Sequence, residues 1–168
     1  MKYIKFAAMI FTSTIAMLVM MYLNTYAVSH IWFSETRMYM ALYMGAGMAI
    51  IMLVFMLGMY TNKKLNAVIL LGAMVLFAGN LYLVRSQTLI SDTAYMKAMI
   101  PHHSIAILTS ERSNINDIRV RKLAEGIIKA QRKEIEEMEW LIQDIKDNGK
   151  ATTVDEAGKR PIPNFEGS

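Results

Sequence analysis

Three long apolar runs constrain this chain more than anything else in it. Ile4 to Val28 carries one charge, Lys5, at its edge, while Met38 to Tyr60 and Leu65 to Val84 carry none. Each approaches the roughly 20 residues that cross about 30 Å of hydrocarbon as a helix. A strand would leave its N–H and C=O groups unpaired in lipid, so helices are the required conformation. The sequence therefore predicts three spans, at about residues 4–28, 38–60 and 65–84, in a membrane domain of residues 1–87. The first run has a second reading as a signal peptide, with a basic start and a small-residue site at Thr25-Tyr26-Ala27. Its apolar core is longer than the roughly 7–15 residues usual for such segments.

Charge sets the orientation. The net charge is +4, and all of the excess lies in the apolar half: Lys2, Lys5, Arg37, Lys63 and Lys64 stand against Glu35 alone. From Arg85 onward acidic and basic residues balance, so nothing resembles a nucleic-acid-binding surface. Lys and Arg collect in short cytoplasmic loops. The amino terminus and the 60–65 turn are thus expected inside, and everything after Val84 outside. In a bacterium this is the inner membrane with a periplasmic carboxy-terminal domain.

The second half reads as a helical hairpin, residues 88–147. Ser91 or Asp92 is a fitting N-cap for a helix to Ser113, with a break at Pro101 as an option. Asp117 caps a second helix to about Asp147, whose apolar residues Val120, Leu123, Ile127, Ile135, Met138, Ile142 and Ile145 recur at helical spacing. Asn148-Gly149 is a stop signal, and residues 148–168, rich in Gly, Pro and charge, read as a flexible tail. Two helices make a thin core. A second copy would complete a four-helix bundle, so a homodimer or higher oligomer is expected.

The chain contains no cysteine and 16 methionines. Disulfide frameworks, thiolate zinc sites and cysteine catalysis are excluded. At about 100° per residue, Met96, Met99 and His103 share a helix face, and His102 lies about 60° beyond Met99. On the second helix Gln131, Glu134 and Met138 share the face of Ile135. Folding the hairpin at 114–115 sets Met99 against Gln131 and Met96 against Glu134, with His103 near Ile127 and Ile128. Thioether with imidazole suits Cu(I) or Ag(I), and imidazole adds Cu(II). Each methionine taken alone is equally a core residue. His30, beside Trp32 and Phe33, reads as a membrane-interface residue. In the second span Met40, Met44, Met48, Met52 and Met56 recur every four residues, with Met59 after them. This is either flexible packing helped by Gly45 and Gly47 or a thioether path. The arrangement is similar to that of eukaryotic high-affinity copper transporters, whose amino terminus lies outside instead.

The blocks Asp92…Tyr95-Met96-Lys97-Ala98-Met99-Ile100-Pro101-His102-His103-Ser104-Ile105-Ala106 and Val120…Leu123-Ala124…Ile127-Ile128…Gln131…Glu134-Ile135…Met138 resemble the domain-of-unknown-function family number 305, over about residues 88–146. The resemblance implies a ferritin-like helical fold. Because some members are periplasmic copper-binding proteins tied to copper resistance, it also implies copper as the bound metal. It marks His102, His103, Met96, Met99 and Met138 as ligand candidates, with Gln131 and Glu134 as their structural partners. Many members carry longer Met- and His-rich bundles. One hairpin with three methionines points instead to one site per hairpin or per dimer. The fold expectation is thus all-α: a three-helix transmembrane bundle followed by an extracytoplasmic ferritin-like hairpin.

The leading expectation is a membrane-anchored copper-binding protein that buffers or hands on Cu(I) or Ag(I), with lipid and a copper-transport or metallochaperone protein as partners. A copper permease using the Met row, and a structural anchor presenting the hairpin, are the other readings. An enzyme is not expected. Di-iron sites of ferritin-like proteins use Glu-x-x-His motifs, and the residues three before His102 and His103 are Met99 and Ile100.

Overall fold

The computed structural model describes residues 2–167, and among them every regular element is helical. The apolar runs form α1 (Lys2–Met20), α2 (Glu35–Phe55) and α3 (Lys63–Ser86). The polar half forms α4 (Asp92–Arg112), α5 (Ile118–Asn148) and the short α6 (Val154–Lys159). The described residues group into two compact units: the chain up to Leu23 with Glu35–Ile90, and Asn24–Ser34 with the chain from Ser91 on.

In the first unit α1, α2 and α3 are each long and apolar enough to cross a membrane. α2 packs against both neighbours. Gly45 makes its contact with α1 close: a Cβ there would overlap Thr14 Oγ1. Large apolar side chains such as Phe11, Phe55 and Val75 point outward, which only lipid or another apolar surface can cover. One end is tied by polar groups. The Tyr3 hydroxyl donates to Asn66 Oδ1 (2.8 Å), and Asn66 Nδ2 donates to the Tyr60 carbonyl (2.7 Å). Asn62 caps α3 by accepting from the Leu65 N–H.

The first span is shorter than the apolar run. α1 ends at Met20, and the Tyr22 and Leu23 N–H groups close tighter i−3 bonds. Asn24–Ser34 leaves to join the hairpin, so the expected end at residue 28 and the placing of this loop in a 1–87 membrane domain are both corrected. The physical reason lies in the hairpin. The Tyr26 N–H donates to Ser104 Oγ (2.7 Å), and His30 Nδ1 lies 2.9 Å from the same oxygen. Tyr26 and Trp32 pack on the hairpin core. We call this loop the strap.

In the second unit the helix ends follow the caps. Ser91 accepts from the Ala94 N–H, and Asp117 accepts from the Arg119 and Val120 N–H groups. The Arg119 guanidinium, followed by those backbone donors, lowers the Asp117 carboxyl to about 2. α4 continues unbroken through Pro101, which is buried. The core is Met96, Ile100, Ile107, Ile135, Met138 and Ile142. Burying each such side chain contributes about 1.5–3 kcal/mol, and the strap closes a side that two helices alone leave open.

The segment after Asn148 is not a free tail. Thr153 and Glu156 form a capping box for α6. Arg160 pairs with Asp144 at 2.8 Å and also donates to the Gly149 carbonyl. Gly167, at φ +68°, lies so close to Lys129 that a Cβ would strike that residue's carbonyl. These contacts join residues far apart in sequence, and local composition does not reveal them.

Ser104 is fully buried, so the strap can be tested through one atom. Ser104→Ala leaves the Tyr26 N–H and His30 Nδ1 without their partner. It is expected to cost about 1–3 kcal/mol, read by chemical denaturation of the full-length protein. Faster amide exchange across residues 24–34 should accompany the loss. A cost below about 0.5 kcal/mol with unchanged exchange would show that the strap is held by something else.

Candidate metal centre

α4 supplies Met96, Met99, His102 and His103, and α5 supplies Gln131, Glu134 and Met138. The structure brings part of this set together. Met96 and Met138 are buried in the hairpin core, and Met99 is packed half-buried at its edge. His103 is mostly buried, with its Nδ1 3.0 Å from Glu134 Oε2. Gln131 Nε2 donates to the same carboxylate at 3.4 Å. His102 is exposed, its ring centre 6.1 Å from that of His103. The pairing His103–Glu134 corrects the expected register by about two turns, since Glu134 faces His103 and not Met96. The helices are joined by residues 113–117, with Ser113 and Asp117 both in β conformation and the Ile115 N–H donating to the Ser113 carbonyl (3.0 Å) in a tight turn about Asn114. Arg121 then fixes the start of α5 by donating to the carbonyls of Ser110 and Ser113.

His103 Nδ1 is buried without an aligned hydrogen bond, although the Glu134 carboxylate is in ion-pair range. The two statements agree: the distance is short and the direction is poor. Burial lowers the His103 pKa most, Glu134 opposes this, and His102 adds to it. The ring is therefore neutral at pH 7, and a neutral imidazole has a lone pair to give. His103 and Glu134 pair across α4 and α5, and Met96, Met99 and Met138 gather in the hairpin core. Among the described residues no three His, Asp or Glu side chains converge. A metal held here must draw on thioether.

The strap histidine has a partner that sequence reasoning did not anticipate. His30 sits against Ser104, and burial lowers its pKa while Glu139 opposes. Beside it Tyr26, Ala27, Ile107, Arg132, Ile135, Glu136 and Glu139 line a cleft of about 460 Å³. The available signal was that the Lys/Arg count puts this loop and the hairpin on the same side.

Two histidines with lowered pKa values give a pH dependence of definite sign. The unfolded chain binds protons from about 6.5 downward, whereas the folded one resists until lower pH. Stability is complete above 6.5 and falls as pH drops toward the depressed folded values. Thermal melts followed by circular dichroism should shift to lower temperature between pH 7.5 and pH 5. An unchanged or higher melt at pH 5 would contradict the burial of neutral imidazole.

The family profile of the domain of unknown function DUF305 matches residues 91–163. A relative, uncharacterized protein L153 of Acanthamoeba polyphaga mimivirus, is 32% identical over 110 residues, covering 64% of this chain and 70% of that protein. This chain belongs to the DUF305 family. The DUF305 segment takes in α4, α5 and α6 and runs past Arg160, so the Arg160–Asp144 pair lies within the matched domain and Gly167 lies beyond it. The three apolar helices and the strap lie outside it. No solved structure matches the chain.

Proposed function

We propose that this DUF305 protein is a membrane-anchored copper-binding protein that buffers or hands on Cu(I) or Ag(I) on the outer side of a membrane, in a bacterial cell the periplasmic side. The observation that carries the reading is the gathering of Met96, Met99 and Met138 in one cluster of the hairpin, with the mostly buried His103 on the same helix face of α4 as Met96 and Met99, in a chain without cysteine. A thioether has no proton to lose and cannot be consumed as a disulfide, which suits an oxidising compartment. The orientation is supported by the Lys/Arg distribution and by the strap, which belongs with the hairpin and is the loop expected outside. The role is binding, not catalysis. A copper-transport subunit or metallochaperone is the partner that would take the metal up.

The test is Cu(I) titration of the full-length protein in detergent, against a competing chelator, followed by metal analysis of protein from copper-grown cells. Tight binding lost in His102→Ala/His103→Ala supports the reading. No binding, or binding unchanged in that variant, ends it.

A second reading has its own observation. Met44, Met48 and Met52 line one groove of about 400 Å³ with Tyr43, Gly47, Ile51 and Phe77. Thioethers spaced along a span suit Cu(I) passage, which would make the protein a copper permease or a transport subunit. Copper flux into proteoliposomes should then fall at least severalfold in Met44→Leu/Met48→Leu. Equal flux would leave these methionines as packing.

A further inference from the structure

The three apolar helices do not close on one another. α1 and α3 both pack on α2, but their own backbones stay apart, and the Tyr3 hydroxyl bridges them to Asn66 at one end. The space between them is a groove of about 560 Å³. Its floor is small: Ala41, Gly45, Ala46 and Ala49 of α2, with Gly72 and Ala73 of α3. The Thr14 hydroxyl on its wall is spent on the Ile10 carbonyl (2.8 Å), so the groove suits an apolar occupant.

The dimensions choose the occupant. Along α1 the groove runs from Tyr3 to Leu18, about 22 Å at 1.5 Å per residue. Its mean cross-section is then about 25 Å². A helix with its side chains is about 10–12 Å across and needs roughly 80 Å² or more. The groove is too narrow for a fourth helix, whether from a second copy or from another protein. It has the width of a single hydrocarbon chain, which the surrounding bilayer supplies.

The charge at one end chooses the headgroup. The Tyr3 end carries Lys2 and Lys5 of α1 and Lys63 and Lys64 of α3, all exposed. The first unit holds one acidic residue, Glu35, which starts α2 at the opposite end. No carboxylate of this unit therefore neutralises the four ammonium groups. Lysine stems lie along apolar surface while their charges reach headgroup depth, and such a cluster attracts lipids of net negative charge.

We propose that the groove between α1 and α3 is a binding site for one anionic phospholipid, with an acyl chain laid along Ala41, Gly45 and Ala49 and the phosphate among Lys2, Lys5, Lys63 and Lys64. The site is independent of the copper reading.

Two glycines of α3 make the test. A Cβ at Gly72, in the groove, meets nothing within 4 Å, and neither does one at Gly79, which lies outside the groove. Gly72→Leu fills the groove, and Gly79→Leu adds the same side chain elsewhere with the same gain in helix propensity. Full-length protein in detergent is incubated with equal amounts of phosphatidylglycerol and phosphatidylcholine of identical chains, freed of excess lipid by gel filtration, and weighed intact by native mass spectrometry. The unsubstituted protein and Gly79→Leu should keep one phosphatidylglycerol per chain, with a preference over phosphatidylcholine of about 10-fold or more. Gly72→Leu should retain about 10-fold less. Raising NaCl from about 0.1 to 1 M, which shortens the screening length from about 10 to 3 Å, should remove most of the preference. No retained lipid, or equal retention in Gly72→Leu and Gly79→Leu, overturns the groove as the site. Equal retention of the two lipids overturns the role of the lysines. A lipid-free dimer in place of a lipid-bound chain overturns the choice of occupant.

Discussion

Replacing His103 with alanine is expected to lower the Cu(I) affinity of the full-length protein by about 100-fold or more, equivalent to roughly 2.7 kcal/mol. His102→Ala should cost less than about 10-fold, below the roughly 10–100-fold found when an outer partner of a metal ligand is lost. The two residues are neighbours of identical chemistry, so the difference isolates their surroundings. His103 is mostly buried, held neutral, and faces Glu134 with an unaligned nitrogen. His102 is exposed. A ligand already stripped of water and fixed in direction loses less on binding than a solvated one. Competition titrations with a Cu(I) chelator measure both variants. Equal losses would mean that the exposed pair chelates as a unit and that burial of His103 has no part in it.

Ile100→Ala is expected to destabilise the hairpin by about 2–5 kcal/mol, the range for removing a large aliphatic side chain from a closed core. Ile100 is 0% exposed and lies in the cluster with Met96, Ile135 and Met138. The hairpin has few such positions. Its total stability is unlike that of a large domain, since a thin core leaves little margin. Val154→Ala, at a site 92% exposed, serves as the comparison and should stay within about 0.5 kcal/mol. Chemical denaturation of the full-length protein, followed through the helical signal, reads both. A cost below about 1 kcal/mol for Ile100→Ala would place the core elsewhere.

Helix ends were legible in the sequence because their causes are local. Ser91, Asp117 and Gly149 cap or stop α4 and α5 within a residue of the expected bounds. The apolar runs likewise marked α2 and α3, although Glu35 at the first turn of α2 starts that helix earlier than its uncharged stretch. The hairpin register was not legible. It depends on the path from Ser113 to Asp117, and a shift of about two turns exchanges Met96 for His103 opposite Glu134. The distinction between His102 and His103 failed for a related reason. Adjacent residues diverge by about 100° on a helix, and only the position of α5 decides which turns inward. The strap was hidden because its partner, Ser104, lies more than 70 positions away in sequence. The docking of Arg160 on Asp144 was hidden in the same way.

The strap also dictates an order of assembly. It is the loop between the first two apolar helices, so it is synthesised before α4 exists. The hairpin finds its third wall already waiting when Ser104 and Ile107 emerge. A chain inserted upside down would deliver strap and hairpin to the wrong compartment together. A chain whose first helix failed to insert with its neighbour would present the hairpin with no strap at all. In that case the Ser104 hydroxyl loses its partners and Tyr26 and Trp32 are missing from the core, leaving a form open to proteolysis. The hairpin unit is thus complete only when an eleven-residue loop made well before it has joined it.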